Sequence, residues 1–266
     1  MTVEPAPAAT GAPSRGTGGH AGSLPIPALS VVVPVCNEAE NIEPLAREVR
    51  DALRGRCEFE LIYVDDGSTD ATASIVRQVR DGAVPEIRLL RHERRSGQST
   101  ALATGVRAAR FPWIATLDGD CQNDPADIPR LVEYLASDAG GGLKLVMGNR
   151  SVRHDSWLRR LSSRVANGVR GWMLEDGTPD TGCGIKLFER ETFIDLPRFD
   201  HMHRFLPALF QRAGAGVASV PVAHRARTRG TSKYGLFDRL WVGITDLFGV
   251  MWLIRRRTAP GEVREE

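Results

Sequence analysis

From Leu29 onward, short β-branched runs alternate with segments of helical period, and this alternation restricts the chain to very few architectures. LSVVV (29–33) is closed by Pro34 and followed by NEAENIEPLAREVRDAL, in which Ile42, Leu45, Val49 and Leu53 recur at helical spacing. FELIYV (59–64) leads through DDGSTD into ATASIVRQVR, with Thr69 or Asp70 placed to cap that helix. IRLLRH, SGQSTALATGVRAAR, WIATL and DPADIPRLVEYLASD continue as strand, helix, strand and helix, Pro125 suiting a first helical turn. Strands that alternate with helices predict an α/β fold with a mostly parallel central sheet flanked by helices. Ligands of such sheets lie outside the carboxyl ends of the strands. Three polar clusters fall at those ends: PVCNE after the first strand, DDGSTD after the second and DGDCQ after the fourth.

Beyond that unit, LKLVMGNR reads as a strand ending at Arg150, and SVRHDSWLRRLSSRVANGVRGWM as a basic loop followed by a helix. In DTGCGIKLFERETFIDL two glycines introduce a short strand, with Cys183 packed tightly where they let backbones approach. VASVPVAH is a last strand before the basic segment RARTRGTSKYG. Leu236–Ile254 would span roughly 30 Å as a helix, and it runs into Arg255, Arg256 and Arg257. Asp238, Arg239 and Asp246 interrupt it, and nowhere do eighteen uncharged apolar residues run together, against a conventional membrane span. Residues 1–27, rich in Pro, Ala, Gly and Ser, are expected to be disordered and lack the apolar run of a secretory signal.

The 266 residues suffice for one domain with a sizeable core. With 35 basic against 33 acidic residues, bulk charge does not mark a nucleic-acid binder. Cys36, Cys57, Cys121 and Cys183 lie far apart without a CxxC pair, which excludes a zinc-finger pattern and suits a reducing compartment.

Asp118 and Asp120 flank one glycine, so two carboxylates with little bulk between them can face a common ion. Like charges so placed raise each other's pKa, and hard oxygen ligands suit Mg²⁺ or Mn²⁺ with phosphate oxygens completing the shell. Gln122 would add a carbonyl or hold a metal-bound water, whereas Asp124 is equally suited to capping the next helix. DDGSTD is open to two readings: an ordinary turn, or a nucleotide site in which Asp65 or Asp66 accepts from a base N–H or ribose hydroxyl. Glu38 is similarly open between helix capping and nucleotide contact.

Taken in order, PVCNEAENI, VDDGSTD, LDGDCQNDP, GNR, DTGCGIKLF and RTRGTSKYG resemble the family 2 glycosyltransferases of GT-A fold, in their polyprenyl-phosphate branch typified by dolichol-phosphate mannosyltransferase. The resemblance covers about Ser30 to Tyr234. It implies a nucleotide-sugar site at Pro34, Cys36, Glu38, Asp65, Asp66, Asp118, Gln122, Arg227 and Lys233, with Cys36 standing where many members carry Tyr or Phe. It implies a metal and diphosphate site for Mg²⁺ or Mn²⁺ at Asp118, Asp120 and Gln122, with Asp118, Asp120, Arg227 and Lys233 serving the chemistry. Arg150, Arg160, Ser163, Arg164 and Ser232 would hold the acceptor phosphate; Arg159 belongs to the same basic helix and Gly230 to the RxxGxSK element. His203 and Arg204 would sit on a helix below the site, near the membrane. The implied organisation is a tail (1–27), a GT-A domain (28–234), an amphipathic juxtamembrane helix with a basic end (235–257) and a flexible tail (258–266).

The implied reaction is inverting transfer from a GDP- or UDP-linked sugar to a polyprenyl monophosphate, at the cytoplasmic face of a membrane that the protein touches peripherally or as a monotopic protein. A phosphomonoester with a second pKa near 6 is already a competent nucleophile at neutral pH. A hydroxyl acceptor in polysaccharide or glycolipid synthesis would instead need a general base, for which Asp180 and Glu191 are weak candidates. A noncatalytic nucleotide-sugar-binding or membrane-scaffold protein is a further alternative, while a dinucleotide oxidoreductase is disfavoured because PVCNE replaces a GxGxxG turn. Trp241, Phe248, Met251 and Trp252 fit an interfacial helix, the alternative being a helix packed within the protein. A homo-oligomer or a membrane partner protein stays open; nucleic acid is not expected.

Overall fold

The computed structural model describes residues 22–150, 180–225 and 236–256, together with 171, 173, 174, 177 and 178; in the last segment side chains are described from Thr245. Four strands and four helices alternate first: β1 (Ala28–Val35), α1 (Ala39–Leu53), β2 (Glu58–Asp66), α2 (Thr72–Gly82), β3 (Ile87–His92), α3 (Gln98–Ala108), β4 (Trp113–Thr116) and α4 (Ile128–Ala136), the last entered through a 3-10 turn at Pro125–Asp127. There follow β5 (Leu143–Asn149), β6 (Lys186–Glu189), a short helix Arg190–Ile194, a 3-10 turn Met202–Arg204, a helix Leu206–Arg212, β7 (Gly216–Pro221) and a C-terminal helix Leu236–Arg255.

The strands form one sheet in the order β3-β2-β1-β4-β6-β5-β7. All pairings are parallel except the two made by β6, which runs against both β4 and β5. Because β2 and β3 lie to one side of β1 and β4 to the other, the loops leaving β1 and β4 diverge and open a crevice between them.

Successive side chains of a strand face opposite ways, and this divides the core. Val31, Val33 and Val35 join Ile42 and Leu45 of α1, Val76 of α2 and Leu131 of α4. Val32, Ile62, Val64 and Ile114 meet Ala101 and Val106 of α3 and Leu206, Leu209 and Phe210 on the other face. Helix α3 lies so close that a Cβ on Gly105 would stand 2.4 Å from Val32 Cγ1.

Strand β1 does not stop at Pro34 as its sequence suggests, but continues to Val35. Leu117 N–H donates to Val32 O at 3.4 Å, so the polar groups of Val32, and by alternation of residue 34, face β4. The β1–β4 ladder has ended at Val32 and Thr116, so no strand there requires the N–H that proline lacks. Within the segment expected to be disordered, Leu24 and Ile26 are buried, and Leu24 N–H donates to Arg56 O at 2.8 Å.

Of the two arrangements left open by its sequence, the C-terminal helix shows packing within the protein on one side and leaves another side exposed. Leu247, Val250, Met251 and Ile254, spaced to share one side, pack on the core layer beneath α3 and Leu206–Arg212. Arg212 Nε donates to Leu253 O at 2.8 Å, fastening the two helices. Phe248 and Trp252 point away, 55% and 59% exposed, near exposed Arg255 and Arg256. Met251 is therefore an inward residue, while the Trp241 side chain and Arg257 lie outside what is described. Among the described residues no helix is long and apolar enough to cross a membrane.

Candidate active site

The loops after β1 and β2 are knitted together. Asn37 takes a positive φ of 54°, its N–H donates to Ser68 Oγ at 2.8 Å, and its Oδ1 accepts from Thr69 N–H at 2.8 Å. Glu38 N–H donates to Thr72 Oγ1 at 3.0 Å, and the Glu38 carboxylate accepts from Asn41 Nδ2 at 2.7 Å. Asp70 accepts from Thr72 N–H at 2.9 Å and so satisfies the start of α2.

The paired aspartates at the end of β2 have separate surroundings. Asp65 is fully buried; its Oδ1 accepts from Ser68 N–H at 2.9 Å, and its Oδ2 lies 3.1 Å from Arg91 Nε in an ion pair without hydrogen-bond alignment. Asp66 accepts from the N–H groups of Ser96 and Gly97, each at 2.8 Å, and lies 2.8 Å from His92 Nδ1. It thereby fixes the turn at Gly97, φ 93°, from which α3 departs.

Asp118 and Asp120 follow β4 at the mouth of the crevice. A Cβ on Gly119 would stand 2.7 Å from Val35 Cγ1, so this glycine admits the loop against β1 as well as separating two carboxylates. Gly184 is tighter still: a Cβ there would lie 2.2 Å from Asp118 Oδ2 and 2.5 Å from Asn123 Oδ1. Burial, then the neighbouring Asp120 charge, push the Asp118 carboxyl above its ordinary range, against Lys186, Arg150 and a 3.0 Å hydrogen bond from Gln98 Nε2.

Lys186 is a site residue that the sequence did not single out. It lies in β6, 5% exposed, and its ammonium donates to Cys183 O. Burial pushes its pKa down, while Asp118, Cys183 and Asp180 act the other way. Only its place in the quoted DTGCGIKLF segment hinted at a site. Cys183 is fully buried, as the flanking glycines suggested.

A cavity of about 480 Å³ collects Pro34, Cys36, Glu38, Asp66, Asp118 and Asp120 from three separate loops. Gln98, Lys186, His203 and Arg204 also line it. Asp65 lies behind the wall, and neither Gln122 nor Arg150 lines the cavity. Gln122 is tied instead to Arg225, whose N–H it accepts at 2.9 Å. Arg150 forks onto Asp180, Nε to Oδ2 at 2.7 Å and Nη2 to Oδ1 at 2.8 Å, an engagement that also occupies the first candidate base. The second, Glu191, follows β6 at the end paired with Trp113, opposite the crevice. Asp124 is a capping residue: it accepts from Ala126 N–H at 3.0 Å and pairs with Arg225 at 2.7 Å. Arg159, Arg160, Ser163, Arg164, Arg227, Gly230, Ser232 and Lys233 lie outside the described residues.

The donor set fits a hard divalent cation. Two carboxylates face one space, one with its pKa raised by the other, and buried Asn123 Oδ1 beside the same glycine has no hydrogen-bond partner. Among the described residues no third His, Cys, Asp or Glu joins them, so phosphate oxygens and water would complete the shell.

The profile of Glycosyl transferase family 2 matches residues 30–196. The dodecaprenyl-phosphate galacturonate synthase of Rhizobium johnstonii is 37% identical over 255 residues, 94% of this chain and 73% of that protein. The undecaprenyl-phosphate 4-deoxy-4-formamido-L-arabinose transferase of Edwardsiella ictaluri is 33% identical over 210 residues, 78% of this chain and 63% of its own length, so the match leaves more than a third of that protein uncovered. Among solved structures, glucosyl-3-phosphoglycerate synthase from Mycobacterium tuberculosis in complex with Mn²⁺, uridine diphosphate and glucosyl-3-phosphoglycerate superposes with a TM-score of 0.65 at 23% identity, over 88% of this chain and 81% of that one. This last likeness establishes the GT-A-like fold.

Proposed function

The chain belongs to glycosyl transferase family 2, and from that premise we propose that it transfers a sugar from a nucleoside-diphosphate sugar to a polyprenyl monophosphate with inversion at the anomeric carbon. The observation that supports this reading most is the single cavity joining the β1 loop to Asp118 and Asp120 at the sheet's switch point. Relatives bearing undecaprenyl- and dodecaprenyl-phosphate names favour the lipid acceptor, and their different sugars leave the donor to be read from the site.

Pro34, Cys36 and Glu38 would receive the nucleoside, and Asp66 shapes the floor by holding Ser96 and Gly97. Asp118 and Asp120 would hold Mg²⁺ or Mn²⁺, which when bound offsets the charge developing on the leaving diphosphate. Gln98 fixes one oxygen of Asp118, and the Gly184 backbone supports the other side of its carboxylate. The acceptor phosphate attacks C1 as the bond from C1 to the diphosphate breaks, and no base is needed because that phosphate is already ionised. Positioning and electrostatics carry the step. Arg227 and Lys233 are proposed to stabilise the leaving group, and Arg160, Ser163, Arg164 and Ser232 the acceptor phosphate; Arg150, already forked onto Asp180, would extend its remaining donors to that phosphate.

Phe248 and Trp252 beside Arg255 and Arg256 suit the surface of an anionic leaflet, here proposed to be the cytoplasmic one. The test is transfer by purified protein to a short polyprenyl monophosphate in detergent, with Mg²⁺ or Mn²⁺, and mass spectrometry of the lipid. A sugar adduct abolished by EDTA supports the proposal; transfer only to hydroxyl acceptors overturns it.

A further inference from the structure

The start of α3 touches two things in succession. Gln98 Nε2 donates to Asp118 Oδ1 at 3.0 Å, and the next residue, Ser99, places its Oγ 2.7 Å from His203 Nδ1. His203 and Arg204 therefore line the same cavity as the carboxylates that would hold the diphosphate, joined to them through the start of α3. With the nucleoside proposed at Pro34, Cys36 and Glu38 and the diphosphate at Asp118 and Asp120, the sugar is the part of the donor left for these two residues.

The chemistry presented there is specific. Ser99 Oγ also accepts the backbone N–H of His203 at 3.3 Å, and among the described residues the serine hydroxyl has no acceptor for its own hydrogen except Nδ1. The imidazole is thus the tautomer with its proton on Nε2. Burial, then Lys186, Arg204 and His201, hold its pKa down to about 3, so the ring is a neutral donor. Arg204 differs from the other arginines around the crevice. Arg150 is forked onto Asp180 and Arg225 is paired with Glu48 and Asp124, whereas the half-buried Arg204 guanidinium has no ion pair or side-chain hydrogen bond among the described residues. An uncompensated guanidinium in a cavity that also holds a buried lysine is costly without an anion. A neutral hexose offers none, while a single carboxylate matches the guanidinium fork.

We propose that Arg204, with the Nε2–H of His203 beside it, binds the carboxylate of the donor sugar, so that the substrate is a nucleoside-diphosphate hexuronic acid and Ser99 is a positioning residue for the imidazole. The inference rests on the reading of the cavity as a nucleotide-sugar site. Its test is calorimetric binding to the full chain with Mn²⁺, which needs neither acceptor nor turnover: UDP-galacturonate against UDP-galactose, GDP-mannuronate against GDP-mannose, and free UDP and GDP as references. The expected result is that one uronate binds at least about tenfold more tightly than its neutral counterpart, with kcat/KM in lipid transfer separated by about 100-fold. Arg204→Gln should remove that preference while binding free nucleotide as the wild type does, Arg204→Lys should restore part of it, and Ser99→Ala should weaken uronate binding several-fold. Equal binding of uronate and neutral sugar by the wild type overturns the proposal without any variant having to fold. So does an Arg204→Gln protein that keeps its donor preference but shows a raised KM for polyprenyl phosphate, which would assign Arg204 to the acceptor. Failure to bind either nucleotide would instead remove the nucleotide-sugar reading, and this inference with it.

Discussion

Gly184 shows how a residue without a functional group controls one that has it. Adding a methyl group would place carbon 2.2 Å from Asp118 Oδ2, and the carboxylate must move before the backbone does. Gly184→Ala is expected to lower metal-dependent transfer at least about 100-fold, as loss of a positioned charged group does, while Mn²⁺-dependent nucleotide binding weakens in parallel. Unchanged Mn²⁺ dependence in calorimetry would contradict that role. His203 supports a prediction of a different kind. Its folded pKa, about 3, lies below the ordinary 6.5, so between those values the unfolded chain binds a proton that the folded chain refuses. The histidine's contribution is present above pH 6.5 and is lost as pH falls toward 3. Asp118 and Asp127, with raised pKa values, act in the opposite direction by taking up protons in the folded state first. The informative quantity is therefore a difference: denaturant midpoints of wild type and His203→Asn should diverge between pH 7 and 5, with the wild type losing more stability on acidification.

At the scale of elements, α3 is held against the sheet by a fit that tolerates no added atom. Gly105→Ala would put Cβ 2.4 Å from Val32 Cγ1 and 3.0 Å from Val64 Cγ2, and is expected to cost about 1–3 kcal/mol, visible as a lowered thermal midpoint. Because Gln98 and Ser99 open the same helix, donor binding should weaken as well. These elements also show what a sequence discloses. LSVVV and FELIYV announce buried parallel strands because both faces are covered, and Ile42, Leu45 and Val49 announce α1 because one face is. The three polar clusters could be assigned to one end of the sheet for the same reason, and eight of the residues they contain do share a cavity. The reversed direction of β6 was not legible: KLFE is four residues long, and nothing in so short a segment distinguishes running with its neighbours from running against them. Lys186 is hidden in the sequence because a lysine in a short strand reads as solvent-facing until both neighbouring strands are known. The Ser99–His203 contact joins residues 104 positions apart, beyond any local pattern. Asp65 and Asp66 look equivalent in sequence, but successive strand residues face opposite sides, and only Asp66 reaches the cavity.

For the molecule as a whole, the two sides of the sheet have different surroundings. Helices α1, α2 and α4 cover one side; α3, Leu206–Arg212 and the C-terminal helix cover the other, with Phe248 and Trp252 outermost. Replacing both by serine is expected to abolish sedimentation with anionic liposomes while leaving transfer to a detergent-dispersed acceptor within about twofold, since neither side chain supports the core. Loss of both activities together would mean that the helix serves folding rather than docking. The cavity lies at the strand ends, lined by Pro34 and Cys36 of the β1 loop together with His203, Arg204 and Leu206 from the second side. On the proposed reaction, its two products consequently depart into different phases. The nucleoside diphosphate leaves by volume, and its return is governed by bulk concentration; the lipid-linked sugar leaves along a surface, and its return is governed by how many molecules share each unit of membrane area. Diluting the vesicles at fixed lipid composition would then relieve inhibition by the first product and leave inhibition by the second untouched.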